Sequence, residues 1–279
     1  IAFIMGGIRV NYVCCKWGTK YGPHFVNKLY NMAKRNTDSN KFDFHFYCYT
    51  DISEGLEPDI KVIEFPDIPN IHPKYWFGDD KFKYGMARCW DRPKTFVFNT
   101  HNFASDSPTG RFVFLDLDVI IQGDMEPIIM YDLERPTKLR SWWQDPRPMK
   151  TRQFRLAHGA YTNGSCQVWG DDQTEIIWQD VLQHQERIWY TFTDGTDNYH
   201  SWRWGMFSKN PLWGHFPSWM AYSYNRGRDW EAGDLEVDKY RPDSILCVFN
   251  IDLLPFEDSS RGKTKQDQLA DPNLLEHWK

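Results

Sequence analysis

Two aspartates one residue apart, Asp116 and Asp118, follow a mostly apolar run, Arg111-Phe112-Val113-Phe114-Leu115, and here residue type and spacing point most directly to chemistry. Carboxylates this close repel one another, and a divalent cation removes the repulsion. Mg²⁺ and Mn²⁺ take oxygen ligands and bridge carboxylates to phosphate oxygens, so the pair is expected to hold such an ion with a diphosphate and to neutralise it as it leaves. The same residues have a local use too: Asp at a strand end accepts hydrogen bonds from neighbouring backbone amides. Spacing alone leaves both open.

A pair at a strand end needs a sheet behind it. Ile8 to Lys16 is β-branched and apolar and is followed by a turn, Gly18 to Pro23, then a helical stripe of Phe25, Leu29 and Met32. Gly22-Pro23 suits a helix start, because Pro at the first helical position loses only a donor without a partner. Phe42, Phe44 and Phe46 alternate into a second strand ending at Thr50-Asp51, and Lys61 to Phe65 is a third. Tyr84 to Phe98 is expected to be helical around Pro93, and Arg111 to Leu115 delivers Asp116 at its carboxyl end. Lys138 to Trp143 and Ser165 to Trp169 read as further strands, and Asp172 to Arg187 as a helix with a capping-box-like start at Asp172 and Glu175. From Gly195 to Pro242 the pattern dissolves into Trp-, Gly- and Tyr-rich loops before a last strand, Ile245 to Phe249. Strands alternating with helices imply a mostly parallel sheet with right-handed crossovers, whose ligands collect beyond the carboxyl ends of the strands. Asp51 and the Asp116 pair would share that edge.

Length and composition narrow the classes. A chain of 279 residues buries a core without staples, and one α/β domain over 1–279 is expected, with no internal repeat and no separating linker. The net charge of −5 and scattered basic residues argue against a long nucleic acid or an anionic membrane as partner. Cys14, Cys15, Cys48, Cys89, Cys166 and Cys247 lack C-x-x-C spacing and read as reduced core residues, which suits the cytoplasm. Ile1 to Val13 does not read as a signal peptide, and no apolar run approaches membrane-spanning length. Trp202, Trp204, Trp213 and Trp219 are candidates for stacking on sugar or for packing under loops, and His158, His200 and His215 show no metal-ligand spacing.

The run Arg111 to Asp124 resembles the metal-binding strand of GT-A glycosyltransferases, particularly the glycogenin and galactosyltransferase-like group called family eight. Other segments are similar to that group in the same order. Cys14 to Tyr21 resembles its first strand and turn, which implies base and ribose contacts at Cys15, Trp17, Gly18 and Tyr21. Trp90 to Phe96 is similar to the helix whose lysine, here Lys94, reaches the donor. Asn163-Gly164-Ser165 resembles the Asn-Ser-Gly segment beside the transferred sugar, with the last two residues exchanged. Asp194-Gly195-Thr196-Asp197-Asn198 is similar to an acidic Asp-x-x-Asp-Gln segment that holds sugar hydroxyls or orients the acceptor. The resemblance implies a nucleotide-binding half over 1–125, an acceptor half over 126–255, a tail over 256–279, and a UDP-sugar donor with a glycan, lipid or protein acceptor. It implies retention of configuration, with Asp116, Leu117 and Asp118 holding the metal and diphosphate. One departure stands out: the group ends its last strand in a His ligand and a Lys for the diphosphate, and here Asn250 and Leu254 replace them. Asn250 is the expected third metal position, and an amide is a weaker donor than imidazole.

Two other readings share these features. A haloacid-dehalogenase-like phosphatase also uses a strand ending in D-x-D, with Gly170-Asp171-Asp172 as a later acidic motif, although three strands here precede Asp116. A catalytically weakened carbohydrate- or nucleotide-binding protein would account for the Trp richness and the missing His. Arg226 and Arg228 would offer positive charge to a diphosphate or simply be solvated.

Overall fold

The computed structural model describes residues 7–19, 21–73, 91–99, 109–142, 160–192, 195–206, 208–226, 228–229, 233–250 and 271–279. Its first half runs β1 (Ile8–Lys16), α1 (Pro23–Arg35), β2 (Phe42–Thr50), β3 (Lys61–Ile63), a 3-10 helix (Arg92–Phe98), β4 (Arg111–Leu115), β5 (Val119–Ile121) and α2 (Glu126–Ile129). The second half runs β6 (Thr137–Arg140), β7 (Thr162–Gly170), α3 (Glu175–Thr191), α4 (Thr196–Arg203), β8 (Gly214–His215), β9 (Ala221–Ser223), β10 (Arg228–Asp229), β11 (Gly233–Asp234), β12 (Leu246–Val248) and α5 (Pro272–His277).

Seven strands form the central sheet in the order β3-β2-β1-β4-β7-β6-β8. β3, β2, β1 and β4 are mutually parallel, β7 is antiparallel to β4 and β6, and β6 and β8 are again parallel. Both faces are covered, which is why the strands read as nearly continuous apolar runs. Alternation sorts them: Val10, Tyr12, Cys14, Val113 and Leu115 face α1 with Phe25, Leu29 and Met32. Val13, Cys15, Phe112 and Phe114 face the other layer with Phe96, Trp178 and Trp189. Beside this sheet a small one, β5-β12-β9, joins the middle of the chain to its end.

The expected α/β class, with a mixed, mostly parallel sheet between helices, is what the structure has. Several local expectations are corrected. The 3-10 helix replaces the described part of the expected α-helix, with Pro93 in its first turn. α3 starts at Glu175, its N-cap Thr174 makes no side-chain capping bond, and Asp172 only lends its carbonyl to the Glu175 amide. The stretch read as loops from Gly195 onward contains α4 and short strands. Its helix is polar, with Thr196, Asn198, His200 and Ser201 buried, so it shows no apolar stripe. Cys14, Cys15, Cys48, Cys166 and Cys247 are buried free thiols, and Cys89 lies outside the described residues. No helix among the described residues is long and apolar enough to cross a membrane.

Candidate functional site

β4 ends in a tight turn, Asp116 to Val119, closed by a 3.3 Å bond from the Val119 amide to the Asp116 carbonyl. Leu117 goes into the core beneath, so the turn fixes the two aspartates around it. The Asp116 amide is bound to the Ser165 carbonyl at 2.9 Å, tying the turn to β7. Because β1, β2 and β4 are parallel, Lys16, Thr50 and Leu115 end on the same edge.

That edge collects most of the expected residues. Lys94, projecting from the 3-10 helix, places Nζ 2.6 Å from Asp116 Oδ1. Tyr21, in the turn after β1, donates its hydroxyl to Asp118 Oδ2 at 3.0 Å. Gly18, with φ of 60°, uses the left-handed region open to glycine and donates its amide to Asp51 Oδ2 at 3.1 Å. Trp17 packs edge-on against Phe65, and Cys15 is buried beneath, its thiol pushed up by burial. Burial alone would lower the Lys94 ammonium, yet Asp116 and Asp91 hold it well above the usual lysine value.

A second group approaches through β7 and α4. Asn163 Oδ1 accepts the Ser165 amide at 3.0 Å, and its Nδ2 donates to Asn250 Oδ1 at 3.1 Å. Asn250 Nδ2 in turn donates to Ser223 Oγ at 2.8 Å. β12 runs antiparallel to β5 with Val248 opposite Val119, and Asn250 follows two residues beyond the end of that pairing. Hydrogen bonds therefore lead without a break from the Asp116 turn through Ser165 and Asn163 to Asn250. Asp197 and Asn198 occupy the first turn of α4, and Asn198 is buried. Asp194, Leu254, His158 and residues 256–270 of the tail lie outside the described residues.

Sequence reasoning missed the residues that lock these parts together. Asp91 accepts the Thr196 amide at 2.9 and 3.1 Å through its two oxygens and the Thr196 hydroxyl at 2.5 Å, so the segment bearing Lys94 caps the helix bearing Asp197. Gly195 makes room for it: its φ is 108°, and a Cβ there would sit 3.0 Å from Asp91 Oδ1. Burial pushes the Asp91 carboxyl up, with Lys94 and Thr196 pulling the other way. Asp91 adjoins Lys94 in a segment already singled out, which was a usable signal. Lys138 and Ser223 gave none, since a lone lysine in Thr137-Lys138-Leu139-Arg140 looks like an ordinary strand residue.

Other candidates fall elsewhere. Trp204 and Trp213 are buried, Trp202 packs on Tyr161, and Trp219 is 53 % exposed. His200 is a core histidine, ringed by Phe98 and Trp213. Arg226 is exposed, and the Arg228 side chain is outside the description. Gly170-Asp171-Asp172 sits at the far end of β4 from Asp116, where Asp171 accepts the Gly110 amide at 2.7 Å.

Among the described residues no three His, Cys, Asp or Glu side chains are grouped to hold a metal ion. The oxygens on offer are two carboxylates and the Asn250 amide, a hard donor set that fits Mg²⁺ or Mn²⁺ and disfavours thiophilic metals. One carboxylate is shared with Lys94, so an ion here would meet a competing cation.

No protein-family model and no curated protein matches the sequence. Solved structures do match it. An active-site mutant of LgtC aligns with a TM-score of 0.55 at 11% identity over 95% of each chain. The galactosyltransferase LgtC in complex with donor and acceptor sugar analogs aligns at 0.53, 11% identity and 96% of each. The glycosyltransferase GlyE of Streptococcus pneumoniae TIGR4 aligns at 0.52 and 15% identity over 97% of this chain; the match spans 62% of GlyE. The chain thus has the GT-A fold of these glycosyltransferases, and identities this low carry the fold alone.

Proposed function

We propose that this chain is a glycosyltransferase that binds a nucleotide sugar at the Asp116 turn with the help of Mn²⁺ or Mg²⁺. The observation that carries the reading is the convergence of the half-buried Lys94 on Asp116 at 2.6 Å, at the carboxyl edge of a GT-A sheet. A strand-end acidic pair with no other purpose does not need a lysine delivered from a separate segment.

In this reading Tyr21, Trp17 and Gly18 line the base and ribose, with Gly18 and Asp51 fixing the turn between them. Asp116, Asp118 and the Asn250 oxygen would hold the ion, which supplies charge to the departing diphosphate. Lys94 adds a fixed cation beside it, so negative charge that develops on the leaving group meets a preorganised partner. Asn163, Asp197 and Asn198, brought together by β7 and the first turn of α4, would face the hexose. Donor base, hexose and acceptor are set by residues that these contacts do not identify, and UDP is preferred on the resemblance to family eight. Calorimetric titration with UDP and GDP, with and without Mn²⁺, tests the reading. Metal-dependent binding that is lost in Asp118→Ala supports it; binding indifferent to both metal and Asp118 overturns it.

A further inference from the structure

Lys138 is the least expected charge in the molecule: it is 0% exposed on β6, between the sheet and α4. A lysine loses its hydration when enclosed, and burial lowers its proton affinity. Its ammonium is nevertheless fully engaged. Nζ lies 3.2 Å from Asp197 Oδ1, 2.9 Å from His200 Nδ1, and 5.1 Å from the centre of the Trp213 ring. His200 is neutral there, its pKa pushed well below the usual histidine value by burial and by Lys138, so its ring nitrogen accepts. Asp197 remains 26% exposed, so a carboxylate gripped from within still reaches the outside.

The same Asp197 oxygen is confined by backbone as well. A Cβ on Gly164 would lie 2.7 Å from Asp197 Oδ1, so the carboxylate rests on the bare backbone of β7, one residue from Asn163. Gly164 does not need positive φ, since it is absent from the left-handed residues. Its missing side chain is used for space.

We infer that Lys138 is a positioning residue: from beneath the site it fixes the Asp197 carboxylate against Gly164, leaving that carboxylate oriented for the hydroxyls of the transferred sugar. This rests on the nucleotide-sugar reading. A buried ammonium bound to one oxygen restricts rotation of the carboxylate, which a hydrophobic residue of equal size would not do.

The test separates nucleotide from sugar. UDP and GDP are titrated with Mn²⁺ to count competent sites, and hydrolysis of UDP-glucose, UDP-galactose and GDP-mannose is then measured per competent site. Lys138→Met is expected to keep wild-type affinity for the nucleoside diphosphate and to lose about 100-fold in donor turnover, the scale of a misplacement of about 1 Å. Gly164→Ala, which leaves the lysine in place and displaces the carboxylate, is expected to do the same and carries the test if Lys138→Met does not fold. In an Asp197→Asn background, Lys138→Met should add nothing further, whereas a merely structural lysine would act additively. Full turnover per site in folded Lys138→Met or Gly164→Ala overturns the inference while the nucleotide-sugar reading stands. So does a wild type that binds a nucleoside diphosphate and cleaves none of these donors. A wild type that binds no nucleoside diphosphate overturns both.

Discussion

Asp91→Ala is the substitution whose effect follows most directly from the structure. The carboxylate accepts two donors of one residue, the Thr196 amide at 2.9 Å and its hydroxyl at 2.5 Å, and it terminates the helix that carries Asp197 and Asn198. Hydrogen bonds to a charged acceptor are worth about 1.5–3 kcal/mol each, so the gross loss is about 3–6 kcal/mol. Part of that is returned, because burial already disfavours the ionised form, as the raised Asp91 pKa shows. A net loss of about 2–4 kcal/mol in urea unfolding is therefore expected, most of it from a buried amide and hydroxyl left without an acceptor. Asp91→Asn keeps an acceptor oxygen and should lose about half as much. The double-mutant cycle of Asp91→Ala with Thr196→Val isolates the hydroxyl bond, and a coupling of about 1–3 kcal/mol is expected. Metal-dependent nucleotide binding should weaken in parallel, since the segment bearing Lys94 loses its tie to α4. A cost below about 0.5 kcal/mol, the level of an ordinary surface change, or zero coupling would refute the capping argument.

Lys94→Met should separate two effects of one charge: Mn²⁺ alone binds Asp116 and Asp118 more tightly without the competing ammonium, while UDP with Mn²⁺ binds more weakly. Calorimetry in both modes reads this, and movement of both affinities in the same direction contradicts the shared-carboxylate geometry. Asn250→His should tighten Mn²⁺ in the presence of UDP by about tenfold or more, imidazole being the better donor, at some cost from the lost Asn163 bond. An unchanged manganese titration of a folded variant counts against Asn250 as a ligand position. Acid stability offers an independent check. His215 is pushed down to about 3 by burial and by Arg140, and His200 lies well below its usual value. His215 is neutral in the folded protein and protonates when it unfolds, so its stabilisation is full above about pH 6.5 and is lost as pH falls toward 3, by up to about 1.4 kcal/mol per pH unit, and His200 acts in the same direction. Urea midpoints of His215→Gln should fall less steeply between pH 6 and pH 4 than those of wild type; parallel curves would refute the assignment.

Much of the architecture is legible in residue order. β1, β2 and β4 are buried on both faces, so their apolar runs announce themselves whatever their neighbours, and the stripe on α1 repeats at the helical period because only one face meets the sheet. The acidic pair is legible for the same reason: a strand end is a local event, and Asp116-Leu117-Asp118 needs only its own turn. α4 is different. Its residues are polar and its apolar content low, and it is a helix because Asp91, 105 positions earlier, satisfies its first amide. Lys138 belongs to that second kind. In sequence it is one lysine in an alternating strand, and its burial exists only because β6, α4 and Trp213 close around it while Asp197 and His200 supply acceptors. Local pattern fixes what a segment does with its own backbone; the partner that makes a buried charge tolerable comes from elsewhere in the chain, and only the folded structure brings the two within 3.2 Å.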